Sequence, residues 1–424
     1  MEDVYPVNTK KTDRRRNKLP SRLGTALRAL SYRNYRLFFT GQLISLIGTW
    51  MQMVAQSWLV YRLTGSSLLL GTVGFASQFP IFLLAFVGGA VADRYNRHRI
   101  VIATQAASMI LAFILAFLTL TGAVRVWHII VLAALLGIVN AFDMPARQAL
   151  IAMLVDKKDL INAIALNSST FNGARVLGPS VAGILIAGIG EGWCFFANAV
   201  SYIAVIGGLL MMRVDAGERT SRGSMGLGHL LEGFDYARRM RSIRALLLML
   251  ALVSMVGMPY TVLMPIFADD ILGGGARGLG ILMGATGLGA LIGSVTLALR
   301  SGTRGLGKLV AYASGGFGAS LILFSISRSF WISALCLVPV GFSLMVHMAS
   351  TNTLIQTMVP DRLRGRVMAL HVMMFMGMAP FGSFCAGAFA GTVGAPITVA
   401  SGAILCLLGA GTFLSRLNRL RLAG

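Results

Sequence analysis

Residues 150–183, LIAMLVDKKDLINAIALNSSTFNGARVLGPSVAG, align without a gap to residues 354–387, LIQTMVPDRLRGRVMALHVMMFMGMAPFGSFCAG, at an offset of 204 positions. Identities fall at Leu150/Leu354, Ile151/Ile355, Val155/Val359, Ala165/Ala369, Leu166/Leu370, Phe171/Phe375, Gly173/Gly377, Gly178/Gly382, Ala182/Ala386 and Gly183/Gly387. Three aligned glycines inside an apolar segment point to equivalent close helix contacts, not to shared hydrophobicity alone. The same offset pairs Gly71 with Gly275, Gly74 with Gly278 and Gly89 with Gly293. A shift near half of the 424 residues predicts two six-helix halves in parallel orientation. Halves related by an axis along the membrane normal leave a site between them near the midplane, an arrangement suited to alternating access.

The rest of the chain fits this plan. Twelve apolar segments of roughly 18–28 residues can each cross a ~30 Å hydrocarbon core. They lie near 37–60, 69–92, 100–122, 127–146, 162–190, 192–212, 245–268, 277–299, 309–326, 330–350, 366–391 and 394–415, with the turn at Gly188–Gly192 the shortest division. The chain is 56% hydrophobic and 12% charged, whereas soluble domains run at about 45–50% and 25%. That leaves too little polar material to cover a water-facing surface, and it excludes a disordered chain. Four cysteines, Cys194, Cys336, Cys385 and Cys406, lie in apolar runs and read as small buried hydrophobes, which excludes a disulfide scaffold. The fold class is an all-α integral membrane protein with 12 transmembrane helices in two pseudo-symmetric halves. The predicted organisation is a basic tail 1–36, an N-terminal half 37–212, a linker 213–244, a C-terminal half 245–415 and a tail 416–424.

Net charge is +22, yet its placement describes topology and not a nucleic-acid footprint. Of 37 Lys and Arg, 32 fall on the side of the two tails and the long loop. Arg62, Arg125, Arg277 and Arg328 fall on the other side, and Arg175 lies within a span. The positive-inside rule then places both termini in the cytoplasm. The expected location is the plasma membrane, the inner membrane in a Gram-negative cell. The polar, basic first 36 residues do not read as a cleavable signal peptide. Residues 1–24 read as a disordered tail and Ala26–Tyr35 as a short basic helix on the membrane surface.

After the second span comes Gly89-Ala-Val-Ala-Asp93-Arg94-Tyr-Asn-Arg97-His98-Arg99. Gly89 permits close approach to a neighbour, Asp93 can cap a helix, and Arg94 and Arg97 can pair with carboxylates. This stretch resembles the loop between helices 2 and 3 of the major facilitator superfamily, Gly-x-x-x-Asp-Arg-x-x-Arg-(Arg/Lys). His98 replaces the last basic residue and Arg99 follows it. The resemblance covers essentially the whole chain after residue 30. It implies a cytoplasmic gate at Gly89, Asp93, Arg94 and Arg97, with Asp93 facing the start of the eleventh span near Gly365. The second half keeps Gly293 but has Leu297 and Ala298 at the equivalent places, so the latch is one-sided.

The fourth span ends in Asn140-Ala-Phe-Asp143-Met-Pro145-Ala-Arg147-Gln148. Asp143 precedes Arg147 by four residues, the favourable order for an ion pair on one helix face. This segment, like Ser31-Tyr-Arg-Asn-Tyr-Arg-Leu37, resembles the enterobactin-exporter-like, drug-efflux branch of the superfamily. Asp143 reads either as a proton-coupling group or as half of a structural pair. The repeat places His347 opposite Asp143, where it reads as a proton carrier or as a polar residue satisfied by a neighbouring helix. Arg175, deep in a span, must face the bundle interior or a wet cavity. Its readings are attraction of an anionic substrate, exclusion of protons from one path, or a fixed ion pair, for which Asp143 is the plausible partner. Gly173, Gly178, Pro179 and Gly183 permit a bend and close packing. They resemble the antiporter signature of helix 5 in facilitator-type drug exporters, though a kinked membrane helix needs no more than the same residues. Gln52 and Gln56 share a face of the first span, as a cavity wall or as interhelical hydrogen bonders. The 23 Met and 23 Phe suit a lipophilic substrate or ordinary packing.

Enzyme chemistry finds little footing. The chain has no His-Glu-x-x-His and no paired carboxylates within a span, Asp269 and Asp270 lying at the outer end of the seventh. Gly302-Thr-Arg-Gly-Leu-Gly307-Lys308 has the frame of a phosphate loop, but Leu309 stands where the metal-binding hydroxyl belongs, so ATP is not the expected fuel. No catalytic residue, metal or cofactor is expected. The expected function is a secondary active transporter working by alternating access, exporting a siderophore or lipophilic drug-like compound against inward proton flow. Its partners are that substrate, protons and the lipid bilayer, with the monomer as the working unit. Uptake by an ion-coupled symporter is the alternative within the architecture, and a membrane-embedded enzyme the alternative outside it.

Overall fold

The computed structural model describes residues 28–213, 227–300 and 302–417. The expected disordered tail at 1–24 and most of the tail at 416–424 lie outside the described residues. Twelve helices are long and apolar enough to span a membrane. They are α1 Arg33–Thr64, α2 Ser67–Arg94, α3 Arg97–Leu120, α4 Val126–Ile151, α5 Leu160–Ile189, α6 Glu191–Leu210, α7 Arg241–Ile271, α8 Gly275–Ala298, α9 Leu306–Ile326, α10 Phe330–Met358, α11 Asp361–Val393 and α12 Ala395–Ser415. Helices run past the apolar stretches where their last turns are polar: α4 continues through Pro145 to Ile151, and α10 reaches Met358. The stretch between α6 and α7 carries a further helix, Leu227–Arg239, whose Glu232 pairs with Arg366 at the start of α11. The expected surface helix at Ala26–Tyr35 is replaced, in its described part, by a 3-10 turn at Arg28–Ser31 that leads directly into α1. Tyr35 is the reason: it is buried, and its hydroxyl donates to Ala163 O at 2.8 Å, fixing the start of α1 on α5.

Proline shapes three of the spans. Pro145 offers no N–H to the Ala141 carbonyl four residues back, and Gly88 of α2 packs on that carbonyl, where an added Cβ would stand 2.0 Å from the oxygen. Pro179 likewise leaves the Arg175 carbonyl without a helical donor, and Gly287 of α8 packs against it, its Cβ position 2.7 Å away. Glycine Cα–H groups thus cover carbonyls that the bilayer cannot hydrate. In α7, with Pro259 and Pro265, the helix passes through a π turn at Val253–Gly257 and a 3-10 turn at Met258–Thr261. The eleventh span breaks at Gly377 into Asp361–Met376 and Met378–Val393.

The repeated glycines show the pseudo-symmetry atom by atom. Gly178 of α5 packs on Ile47 and Trp50 of α1, and its repeat mate Gly382 of α11 packs on Met255 of α7. Gly183 of α5 meets Gly280 of α8, while Gly387 of α11 meets Gly71 of α2. The seams α5–α8 and α2–α11 therefore join the first six spans to the last six. The start of α1, the end of α12 and the Leu227–Arg239 helix share one face of the bundle, here the basic face, and the opposite end is the far face.

Both seams are closed towards the far face. There Ser67 Oγ donates to Gly387 O at 2.9 Å, and Tyr61 OH reaches Asp270 Oδ1 at 2.5 Å and Asp269 Oδ2 at 3.1 Å. Contacts along α2–α11 run as far as Phe82 against Gly377, and along α5–α8 as far as Arg175 against Gly287. Nearer the basic face, a Cβ on Gly89, Gly173 or Gly365 would meet nothing within 4 Å. The cross-seam contacts thus lie towards the far face.

Candidate transport site

The turn between α2 and α3 is built by a cap. Asn96, not Asp93, caps α3, its Oδ1 accepting from the Arg99 N–H at 3.2 Å. Asp93 is 65% exposed and faces Arg97 at 3.6 Å, a pair worth little in water. Arg97 also donates to Ala92 O at 3.2 Å, and Arg94 lies 6.0 Å from the Tyr95 ring centre. His98 Nε2 bonds Leu209 O at 2.8 Å, tying α3 to α6. The close helix approach expected of Gly89 belongs instead to Gly88, because only Gly88 faces α4. The set Gly89, Asp93, Arg94 and Arg97 stands apart from α11 in this conformation.

A polar core lies within the first half. Asp143 Oδ1 accepts from Thr104 Oγ1 at 2.8 Å and Gln105 Nε2 at 2.9 Å, and Oδ2 faces Arg147 Nε at 3.1 Å. Asp143 is 2% exposed, so every contact of its charge comes from α3 or from its own helix. Gln52 is buried and accepts from Asn198 Nδ2 at 2.6 Å, turning it to α6 and away from the cavity. Gln56, one turn further, is partly exposed.

Arg175 does not reach Asp143, whose ion pair is with Arg147. Its guanidinium lies 5.7 Å from the Trp50 ring centre, a cation–π contact, and Trp50 meets Phe171 edge-on at 5.5 Å. No carboxylate lies within 4 Å of Arg175 among the described residues. Tyr260 of α7 lies within its electrostatic reach. That phenol is buried beside the Thr286 hydroxyl, which itself donates to Leu282 O at 3.2 Å. Arg175 thus gathers α1, α5 and α7 around one uncompensated cation between the halves.

In the second half His347 occupies the place on α10 that Asp143 occupies on α4. Its Nδ1 lies 2.8 Å from Ser314 Oγ of α9, as Asp143 bonds α3. Of the α5 residues, Gly178 and Gly183 sit in packed contacts, Pro179 frees a carbonyl for Gly287, and Gly173 faces open space. On the far face a cavity of about 510 Å³ is lined by Trp58, Arg62, Glu191 and Arg277. Arg62 is held there by Glu191 at 2.7 Å. Cys194 and Cys406 are buried, but Cys385 is exposed and Cys336 partly so, which corrects the reading of all four as buried. No group of three or more His, Cys, Asp and Glu is placed to hold a metal among the described residues.

The transmembrane secretion effector family matches residues 24–422. The chain belongs to this family, within the major facilitator superfamily. It is a multi-pass membrane transporter and not an enzyme. The chain is 28% identical to the staphyloferrin A transporter of Staphylococcus aureus, covering 84% of this chain and 90% of the relative. It is 27% identical to the multidrug efflux pump Tap of Mycolicibacterium fortuitum, over 89% and 94%, and 24% identical to an enterobactin exporter of Shigella boydii, over 79% and 80%. Among solved structures, a bacterial homologue of the iron transporter ferroportin, in an inward-facing state, superposes with a TM-score of 0.70 at 19% identity, covering 90% of this chain and 98% of that one. The nucleoside transporter NupG superposes at 0.71 with 14% identity, covering 91% and 98%. These likenesses carry the fold.

Sequence reading of this transporter missed several residues. Thr104 and Gln105 escape because short polar residues in an apolar helix carry no signal of their partner. The Tyr61 link to Asp269 and Asp270 joins residues 208 and 209 positions apart, and Tyr260 lies far along the chain from Arg175, so neither shows in a local pattern. His371 had a signal: like His347, it is a titratable residue set well inside an apolar span, which bilayers tolerate only at a cost.

Proposed function

We propose that this transporter exports a small organic molecule, a siderophore or a lipophilic drug-like compound, across the plasma membrane in exchange for protons. The observation that carries the reading is the position of Arg175, a cation between the two halves with an indole face and no carboxylate partner among the described residues. The charge asymmetry puts the basic face, and both termini, in the cytoplasm, so the described conformation would load from inside. Relatives alike over most of the chain, a multidrug efflux pump and an enterobactin exporter, support outward transport. The Gly178-Pro179 bend and Gly183 lie where α5 touches both α1 and α8, which suits a helix that moves between states.

Alternating access follows from the two seams. Closing the basic face would bring Gly89 and Asp93 against the start of α11 near Gly365, and the far-face contacts at Tyr61 and Ser67 would part. The monomer contains the whole path. Disrupting the gene tests direction. Cells should then accumulate catecholate siderophores or lipophilic drugs and become sensitive to the latter. Starvation for a solute, without accumulation, would instead establish an uptake symporter.

A further inference from the structure

Four buried polar atoms without partners gather in the second half: His347 Nε2, Ser350 Oγ, Thr351 Oγ1 and His371 Nε2. His347, Ser350 and Thr351 are 0% exposed and His371 is 8% exposed. Ser350 and Thr351 follow His347 by three and four residues, so the three share one face of α10. His371 comes from the first stretch of α11 and lies within electrostatic reach of His347. The tautomer of His347 follows from its neighbour. Ser314 gives its hydroxyl hydrogen to Val310 O at 2.8 Å, so at 2.8 Å from His347 Nδ1 it acts as acceptor. On that ground we assign the hydrogen to Nδ1, which leaves Nε2 as the bare, basic nitrogen.

An unmet buried polar group costs about 1–3 kcal/mol, and native interiors meet such groups with protein or ordered water. Four together, with two hydroxyls that both donate and accept, match a small water cluster. The surroundings add no competing charge. Helix α10 packs on α8 and α9 and touches the first stretches of α7 and α11. On those elements Arg277, Arg300, Lys308, Tyr312, Arg241, Arg244, Asp361, Arg362 and Arg364 are exposed towards the helix ends, and Arg366 pairs with Glu232. The first stretch of α11 also packs on the Leu227–Arg239 helix, which carries Glu232, Asp235, Arg238 and Arg239, and no carboxylate lies within 4.0 Å of either imidazole among the described residues. Two imidazolium charges side by side in a low-dielectric interior repel strongly, so the pair accommodates one.

We propose that His347 and His371, with Ser350 and Thr351, enclose a buried water site that holds one proton shared between the two Nε2 atoms, and that this is the coupling proton of the transport cycle. The inference rests on the proton-coupled reading above and assigns its site. The link to movement is on α11. His371 precedes the break at Gly377 by six residues, and the π turn of α7 grips the same segment through Ser254 Oγ, which donates to Phe375 O. A charge at His371 bears on the hinge of the helix that forms the seam with α2.

The test is histidine side-chain NMR on the full-length protein, labelled with 15N-histidine and reconstituted in nanodiscs, titrated with protons alone. The chain has five histidines, so His→Asn variants assign them. His347 and His371 should titrate together with the uptake of one proton, and His371→Asn should move the His347 transition by a unit or more. Thr351→Val, which keeps volume and removes the hydroxyl, should shift the same transition. In vesicles, His371→Asn should lose proton-driven transport at least tenfold while keeping substrate exchange. Independent titration of the two rings, or wild-type proton coupling in both His variants, would overturn the assignment. If wild-type protein transports with no proton movement at all, the export-by-antiport reading fails as well, and the two failures are thereby separable.

Discussion

Asp143 holds its charge wholly within the first half, between Thr104, Gln105 and Arg147. Removing one partner of a buried pair leaves the other uncompensated, at a cost on the order of 3–5 kcal/mol. Asp143→Ala should therefore lower thermal stability sharply, and Asp143→Ala with Arg147→Met should recover most of the loss. Recovery of transport by the same double variant, measured in vesicles, marks the pair as structural. Stability restored without proton coupling would return Asp143 to the coupling machinery. Arg175 is the opposite case, a cation with an indole face and no carboxylate. Arg175→Gln should weaken binding of anionic substrates about tenfold and leave neutral ones nearly unchanged, as read by tryptophan quenching at Trp50. Equal loss for both classes would make Arg175 structural. The sequence makes both residues conspicuous, since charges inside apolar spans stand out. Their partners stay hidden, because Arg147, four residues away, competes with Arg175, many residues away, and only packing decides between them.

Helices meet in this transporter through glycine. A Cβ at Gly280 would lie 2.6 Å from Pro179 O and 2.8 Å from Gly183 Cα, so Gly280→Val must part α5 from α8. Overpacking of this kind costs about 1–3 kcal/mol, and here it falls on the state in which the far-face seam is closed. The variant should fold, expose the far-face side of the cavity to impermeant thiol reagents through a cysteine placed at Ala276, and lose transport. Normal transport would show that this seam need not close. Most span limits were legible to within a few residues because length and apolarity declare a membrane helix, and the repeat marked Gly183 and Gly387 as equivalent close contacts without naming the helices they meet. The breaks in α7 and α11 were not legible. Pro259 and Gly377 mark weak points, but whether a helix bends, tightens or widens there depends on Ser254 and Phe375, which neighbouring spans bring together.

At the scale of the molecule, the contacts that join the two halves cluster towards the far face. Tyr61 holds that face by bonding Asp269 and Asp270 across the halves. Hydrogen bonds to charged groups count for less when exposed to solvent, so the link stabilises this state by on the order of 1 kcal/mol, roughly a fivefold population shift. Tyr61→Phe should raise far-face accessibility by about that factor, seen as faster labelling of a cysteine at Ala276, and unchanged labelling would remove Tyr61 as a latch. In the proposed two-state scheme, where Asp93 meets α11 when the basic face closes, Asp93→Asn should impair transport while insertion stays intact. The most direct measurement is proton movement in inside-out vesicles with an acid interior, adding catecholate siderophores and lipophilic drugs one at a time. Proton-coupled export predicts collapse of the pH gradient with particular compounds and none in vesicles lacking the protein. A gradient that persists across the panel, while the compounds themselves are taken up, would contradict proton antiport.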